Sequence, residues 1–200
     1  DCRVLDIKGN ARQLGPQSCP NAKDPGVRTE HPINFAIGNK YLVEEIYAGA
    51  GRDALRLSLF FNSQDGVWRT SYSGSLDVSL STAKYARRPD GKVLTFYPDG
   101  TSWVSAFSDQ SEQIEFDAAN NEWVFTTDND SIERYNTNGK LLSIETRSGQ
   151  TTMLSYVSGE LDSVTDSAGR SISFAYDTNG NLASMTFPAG SVYEFSFDTS

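Results

Sequence analysis

The chain has few of the residues from which most enzyme active sites and metal centres are built. Its 200 residues include one histidine and two cysteines. Two cysteines and the remote His31 make an incomplete zinc set, since structural zinc takes four ligands. His31 stands beside Pro32, and the chain contains no G-x-S-x-G nucleophile motif. The sequence therefore predicts a non-catalytic protein without a cofactor or a bound metal.

Long apolar runs and basic clusters are missing as well. No stretch of 18 apolar residues is present, so no membrane span is expected. No charged and then apolar leader opens the chain, and we expect any signal peptide to have been removed. The net charge is −9 and the longest basic run is Arg87-Arg88. A phosphate backbone would be repelled, which makes nucleic acid a poor partner.

Acidic residues are abundant, but their abundance removes any signal for catalysis. A glycosidase needs two carboxylates roughly 5 to 10 Å apart, and among 26 acids such pairs, Glu112 with Glu115 for example, could be assembled almost anywhere. The segment Asp128-Asn129-Asp130 offers three oxygen-bearing side chains in a turn, without the spacing of an EF-hand loop. Calcium binding by Asp128 and Asp130 and a plain Asx turn both remain open here.

The composition favours β-structure. Ser, Thr, Asn and Gly are frequent, and aromatic residues make up 12% of the chain. Only the stretch Tyr41 to Tyr47 could be argued as helix, and its Val and Ile content favours a strand equally. We therefore expect an all-β fold with many turns.

Six glycines near the C-terminal end are regularly spaced, at intervals of 10, 10, 10, 11 and 10 residues. Alternate glycines have different neighbours, so the repeating unit is 20 to 21 residues long and occurs in three copies. The residues that define the copies are Tyr135, Gly139, Leu141 and Gly149; Tyr156, Gly159, Leu161 and Gly169; and Tyr176, Asp177, Gly180, Leu182 and Gly190. A fourth copy begins at Phe197, and we expect the chain to be a piece of a longer array.

Each unit reads as a β-hairpin. The pairs Asn138-Gly139 and Asn179-Gly180 predict type I′ turns, because both residues of an Asn-Gly pair accept positive φ. The second glycine of each unit is expected to turn the chain at the opposite end. About six residues lie between turns, the usual length of a strand.

The strands of the unit differ in their patterns. Ile172, Phe174 and Tyr176 alternate with small residues, which predicts an apolar and aromatic ladder on one face of a sheet. Leu161 and Val164 are three positions apart and cannot share a face of a flat strand. They imply either a β-bulge or burial on both sides.

Stacked hairpins predict a curved, laterally extended antiparallel sheet. A single hairpin is marginally stable in water, whereas stacked hairpins pair their edges and extend the apolar row. The array has an unpaired edge at each end. By composition the chain divides into an irregular extension at 1–31, a non-repetitive β region at 32–110 and the hairpin repeats at 111–200.

Cys2 and Cys19 lie within the extension. A disulfide between them would close a loop of about 17 residues and stabilise the chain by about 3 kcal/mol in the chain-entropy model. It would imply an oxidising, extracytoplasmic setting. Two free thiols in a loose tail are the alternative.

Aromatic residues leave two interpretations open. Trp68, Trp103, Trp123 and the tyrosines could line a sugar-binding platform if they are exposed, and Trp103 and Trp123 are the candidate glycan contacts. Tryptophans in an all-β chain more often pack in the core.

The stretch from Gly169 to Leu182, with Tyr176-Asp177 and Asn179-Gly180, closely resembles the Rhs/YD repeat. The segments Gly38-Asn39-Lys40 and Gly66 to Tyr72 look like the domain that often precedes these repeats. The resemblance implies a secreted or surface bacterial protein whose repeats form a β-shell around a C-terminal toxin. Its partners would be the rest of the same polypeptide; adhesion or carbohydrate binding through the repeat sheet is the alternative function.

Overall fold

The computed structural model describes residues 33–34, 39–51 and 54–196. Every regular element among them is a β-strand, which confirms the all-β fold class. The strands are β1 Ile33–Asn34, β2 Asn39–Ala48, β3 Arg56–Asn62, β4 Val67–Thr70, β5 Ser75–Asp77, β6 Lys84–Arg87, β7 Val93–Asp99, β8 Ser102–Ser105, β9 Gln113–Asp117, β10 Glu122–Thr126, β11 Ile132–Tyr135, β12 Leu141–Glu145, β13 Thr151–Val157, β14 Glu160–Thr165, β15 Ser171–Tyr176, β16 Leu182–Thr186 and β17 Val192–Glu194. The stretch Tyr41 to Tyr47 belongs to β2. Cys2, Cys19, His31 and Phe197 lie outside the described residues.

The strands form two sheets. A four-stranded sheet has the order β1-β2-β3-β4, and a 13-stranded sheet runs from β5 to β17 in sequence order. Within each sheet, every strand pairs antiparallel with the strands next to it in the chain, so the predicted lateral stacking of hairpins is confirmed. The large sheet begins at Ser75, and the boundary placed at 110/111 falls in the connection between β8 and β9. The three-part division of the chain remains a prediction.

Alternation of side chains accounts for the buried face of the repeats. In β15, Ile172 and Phe174 are buried, whereas Ser173 and Ala175 are exposed. Leu154 of β13 is buried between the exposed Met153 and Ser155. The predicted ladder is therefore present, because side chains point to opposite faces at successive positions of a strand.

A β-bulge recurs at the same place in each unit and resolves the alternative left open by the spacing of Leu161 and Val164. In the second unit Ser155 pairs with Ser163, but the next residue, Tyr156, pairs with Leu161. One residue of β14 is therefore extra. The same jump follows Arg134 and Ala175 in the other units. Because of the extra residue, Leu161 points to the same face of the sheet as Val164 although the two are three positions apart.

The turns at Asn138-Gly139 and Asn179-Gly180 are not of type I′, and that prediction was wrong. Only the glycines have positive φ, at 78° for Gly139 and 81° for Gly180. The backbone N–H of Asn136 donates to the Lys140 carbonyl, and the N–H of Gly139 donates to the Asn136 carbonyl. Each is a three-residue loop that ends in a left-handed glycine.

The side chain of the first turn residue explains this choice. Oδ1 of Asn136 accepts hydrogen bonds from the backbone N–H groups of Asn138 and Lys140, both at 3.0 Å. Because these donors are satisfied within the loop, the longer turn is favoured over the two-residue one.

The second unit has the type I′ turn instead. Ser158 and Gly159 have φ values of 52° and 96°, and Val157 pairs directly with Glu160. Val157 stands where the other units have Asn136 or Asp177, so no side-chain acceptor is available for a three-residue loop. This unit has one residue fewer between its Tyr and Leu than the other two.

The large sheet coils until its first strand meets a later turn. The backbone N–H of Leu76 in β5 donates to the Gly139 carbonyl at 2.8 Å, and Ser75 forms a β-bridge with Lys140. We call this contact between β5 and the β11–β12 turn the seam. It confirms the predicted curvature.

One hydrophobic core joins both sheets. Its largest fully buried side chains include Phe96, Phe125, Tyr135 and Leu141 of the large sheet and Leu57 of the small sheet. At the far end, Tyr47 stacks on Phe187, with ring centroids 4.7 Å apart and planes 6° from parallel. The small sheet therefore lies against the repeats and covers part of their apolar face.

Candidate functional site

An open cavity of about 450 Å³ lies beside the seam, between the small sheet and the turns of the repeats. We call it the groove. The small sheet and the segment after it contribute Trp68, Thr70, Tyr72, Ser73 and Gly74, and β5 contributes Ser75 and Leu76. The repeats contribute Asn138, Gly139, Lys140, Leu141, Tyr156, Gly159, Glu160, Leu161, Phe174, Tyr176 and Leu182. Seven of the repeat-defining residues of the sequence therefore meet in the groove, because the coiling of the sheet brings them to one place.

The repeat tyrosines connect each unit to the one before it. The hydroxyl of Tyr156 donates to the Leu141 carbonyl at 2.7 Å, and the hydroxyl of Tyr176 forms a hydrogen bond with the backbone of Leu161. In each case the partner is the leucine that precedes the bulge. Burial raises the pKa of Tyr156 to about 12 and also raises the pKa of Tyr176.

Lys140 bridges the first and second units. Its Nζ donates to the Gly159 carbonyl and lies 4.5 Å from the centroid of the Tyr156 ring. The ammonium charge is thereby held against the groove wall by a carbonyl and an aromatic face.

The seam requires glycine at position 139. A Cβ atom there would lie 1.8 Å from the Leu76 carbonyl oxygen, closer than any two such atoms can approach. Gly180 occupies the equivalent position of the third unit, and a Cβ there would meet nothing within 4 Å. Both glycines are turn residues, but of the two only Gly139 also allows the close approach of β5.

A buried ion pair next to the seam joins Arg88, which follows β6, to Glu133 of β11. Nη1 and Nη2 of Arg88 each donate to one carboxylate oxygen of Glu133 at 2.6 Å, and the Tyr135 hydroxyl donates to Glu133 Oε2 at 2.6 Å. The Arg88 guanidinium also lies 4.7 Å from the Phe125 ring centroid. Burial opposes the charge of Arg88, but the bonds and charge of Glu133 outweigh it and raise the pKa of the guanidinium. Burial, followed by the Glu133 charge, raises the pKa of Tyr135.

Sequence analysis missed this ion pair. Arg88 was noticed only as part of a basic pair, and it lies 45 residues from its partner. The one signal available was Glu133, a charged residue two positions before Tyr135 and so on the face that the ladder buries.

The aspartate of the repeat pattern caps its turn. Oδ1 of Asp177 accepts hydrogen bonds from the backbone N–H groups of Asn179 at 2.8 Å and Asn181 at 2.9 Å. These bonds lower the pKa of Asp177. Asn136 makes the same bonds in the first unit, so its departure from the Tyr-Asp pattern preserves the chemistry of the turn.

Trp103 and Trp123 do not form an exposed platform, and the glycan contact expected from them is corrected here. Trp123 is only 9% exposed, and its ring meets that of Trp103 edge-on at 6.3 Å. Nζ of Lys84 lies 4.7 and 5.2 Å from the two ring centroids, and the Phe116 ring lies 5.1 Å from Trp123. Packing uses the ring surfaces that a sugar would need.

The turn considered for calcium is held by other contacts. Asp130 has a φ of 63° and pairs with Arg147, whose Nη1 lies 3.1 Å from Oδ2. The Thr127 hydroxyl accepts from the Ser131 backbone N–H at 3.0 Å, so a threonine closes this turn. Within the described part of the chain, no three His, Cys, Asp or Glu side chains are grouped as a metal site would require.

Comparison with known proteins identifies the family. Residues 94–200 match the family model described as Teneurin YD-shell. The match covers more than half of the chain. The chain belongs to the Teneurin YD-shell family. This confirms the resemblance to YD-repeat proteins and indicates a shell-like structural module in an extracellular or surface setting.

No curated protein matches the chain. Among the described residues, no helix has the length and apolarity needed to cross a membrane.

Proposed function

We propose that this chain forms part of a bacterial β-shell that encloses or presents a toxin at the C-terminal end of the same polypeptide. The observation that carries the proposal is the seam. A sheet that gains one hairpin per repeat would otherwise extend as an open ribbon. Because β5 is bonded to the β11–β12 turn, the sheet instead bends around on itself and surrounds an interior.

The last described strand supports growth of this wall. β17 pairs with β16 and, within the described residues, with no further strand. Its free backbone groups provide an edge to which another antiparallel hairpin can be added. Units joined by the same tyrosine and bulge contacts would continue the curved wall around a larger volume.

The same architecture supports a passive role for the shell wall. The repeat-defining tyrosines, leucines and aspartate pack in the core, cap a turn or join neighbouring units. The chain therefore contributes enclosure and stability, and any toxic activity belongs to the enclosed segment.

Limited proteolysis of the full-length protein tests the proposal. We expect the C-terminal segment to resist protease in the intact protein and to become sensitive when the seam is opened by Gly139→Arg. Gly180→Arg is the matched control, because its side chain would enter open space. A C-terminal segment that is cleaved equally fast in the intact protein and in the Gly139→Arg variant would refute encapsulation.

A further inference from the structure

One wall of the groove carries an indole that the fold leaves half uncovered. Trp68 in β4 is 49% exposed, although the ring of Phe61 lies 5.0 Å from it at a tilt of 36°. Tyr156 and Tyr176 lie among the lining residues contributed by the repeats. The volume of about 450 Å³ falls in the range of small-ligand sites, roughly 300 to 1,000 Å³. The groove therefore has the size and the aromatic surface of a binding site.

Two polar side chains of the lining are available to a ligand. Within the described residues, no hydrogen bond or ion pair engages the side-chain amide of Asn138 or the carboxylate of Glu160. The hydroxyls of Tyr156 and Tyr176 are already hydrogen-bonded to the backbone. An amide that donates and accepts and a carboxylate that accepts match hydroxyl groups, each of which also donates and accepts.

The charges of the lining favour an uncharged ligand. Lys140 and Glu160 are the charged residues that line the groove, and their opposite charges cancel. The Lys140 ammonium is already held by the Gly159 carbonyl and the Tyr156 ring. A chain with a net charge of −9 repels anionic ligands at long range. A purely apolar ligand would bury Asn138 and Glu160 without hydrogen bonds, which is unfavourable.

We propose that the groove binds a neutral oligosaccharide, with a sugar ring stacked on Trp68 and its hydroxyls bonded to Asn138 and Glu160. The aromatic surface accepts the C–H face of the sugar, and the two polar groups orient it. This binding site is independent of what the shell encloses. It also differs from the platform expected at Trp103 and Trp123, whose rings pack against each other.

Titration calorimetry with defined probes tests the proposal. The probes are maltopentaose, cellopentaose and chitotetraose as neutral saccharides, a hyaluronan fragment as an acidic one, and a proline-rich peptide as an alternative ligand of aromatic grooves. We expect at least one neutral saccharide to bind. Trp68→Ala is expected to weaken that binding roughly tenfold, the effect of losing one aromatic stacking contact. Glu160→Gln and Asn138→Ala should each weaken it as well.

Tyr97→Ala is the matched control. Tyr97 is another half-exposed aromatic residue, 50% exposed, but it does not line the groove. This variant should bind as the unaltered chain does, and circular dichroism of both variants checks the fold. The proposal is overturned if no neutral saccharide binds, if only the acidic saccharide or the peptide binds, or if Trp68→Ala binds as well as Tyr97→Ala.

Discussion

At the scale of single residues, identical positions of the repeat have different surroundings. Gly139 and Gly180 both end a three-residue turn with positive φ. Only Gly139 is pressed against another strand, that of Leu76. The repeat sequence determines the backbone conformation of both glycines. The contact of Gly139 with β5 comes from the coiling of the sheet and is not predicted by the repeat sequence.

The pair provides a direct comparison. Gly180→Ala should lower the free energy of unfolding by about 1 kcal/mol, the cost of placing alanine in a left-handed conformation. Gly139→Ala should lower it by about 3 kcal/mol or more, because the methyl group also collides with the backbone of β5. Urea denaturation measures both values. Equal losses in the two variants would show that the seam is not formed.

The ion pair of Arg88 and Glu133 is a second residue-scale test. Arg88→Met should lower the free energy of unfolding by about 3 to 5 kcal/mol, because it leaves the Glu133 carboxylate buried without its partner. The control is Arg56→Met, which removes the exposed pair with Glu45 and should cost about 0 to 1 kcal/mol. If both variants unfolded at the same urea concentration, the pair would not be buried as described.

Buried tyrosines predict a loss of stability at high pH. Burial raises the pKa of Tyr72 and of Tyr156 to about 12 each in the folded chain, whereas an unfolded tyrosine titrates near pH 10. A group with a raised folded pKa contributes its full stability below the unfolded pKa and loses it as pH rises to the folded value. The buried Tyr72 alone should therefore remove about 2 to 3 kcal/mol between pH 10 and 12.

Urea denaturation at several pH values, together with the phenolate absorbance, checks this expectation. A stability that stays constant between pH 10 and 12, or ionisation of Tyr72 and Tyr156 near pH 10, would contradict it.

At the scale of elements, the unit accepts two kinds of turn because both deliver the same bulge. The first and third units use a three-residue loop capped by Asn136 or Asp177, and the second uses the two-residue turn at Ser158-Gly159. In all three, the Tyr pairs with the Leu and the following residue is extra. The turn and the bulge are therefore separate modules of the hairpin.

A loop graft tests this modularity. Replacing Val157-Ser158-Gly159-Glu160 by the sequence Asp-Thr-Asn-Gly-Asn of the third unit should keep the fold and change Tm by only a few degrees. The control inserts one glycine between Ser163 and Val164, which moves Val164 to the opposite face and should prevent folding. Circular dichroism during heating distinguishes them. A graft that unfolds like the control would show that the two-residue turn sets the register.

The sequence reveals those parts of the hairpin that local chemistry determines. The glycine period, the alternation of Ile172 and Phe174 and the three-residue spacing of Leu161 and Val164 are consequences of neighbours in the chain, and they predicted the sheet. The turn type was missed because it depends on the side chain of Asn136, one residue before the segment that the Asn-Gly rule considers.

Contacts between distant parts of the chain left no pattern in the sequence. Arg88 meets Glu133 across 45 residues, and the groove unites Trp68 with units more than one repeat apart. Such contacts depend on how strongly the sheet coils, which accumulates over many strands and is not encoded by any one of them. This is why Trp103 and Trp123 looked as suitable for a ligand as Trp68 until the structure separated them.

At the scale of the whole molecule, the coil of the large sheet places the seam, the buried ion pair and the groove together. The small sheet packs on the inner apolar face through Leu55 and Leu57 and reaches the last units through the Tyr47–Phe187 stack. A flat ribbon of the same hairpins would have neither the enclosed core nor the groove. Coiling is therefore the property on which the proposed shell depends.

Disulfide trapping tests that coiling most directly. Ser75 and Lys140 face each other in a β-bridge, so Ser75→Cys with Lys140→Cys should form a disulfide on mild oxidation. Ser75→Cys with Asn181→Cys is the control, since Asn181 holds the same place in the third unit. Peptide mapping by mass spectrometry identifies the bonded pairs. The account predicts a rapid bond between positions 75 and 140 and none between 75 and 181; no bond at the first pair, or equal bonding at both, would contradict it.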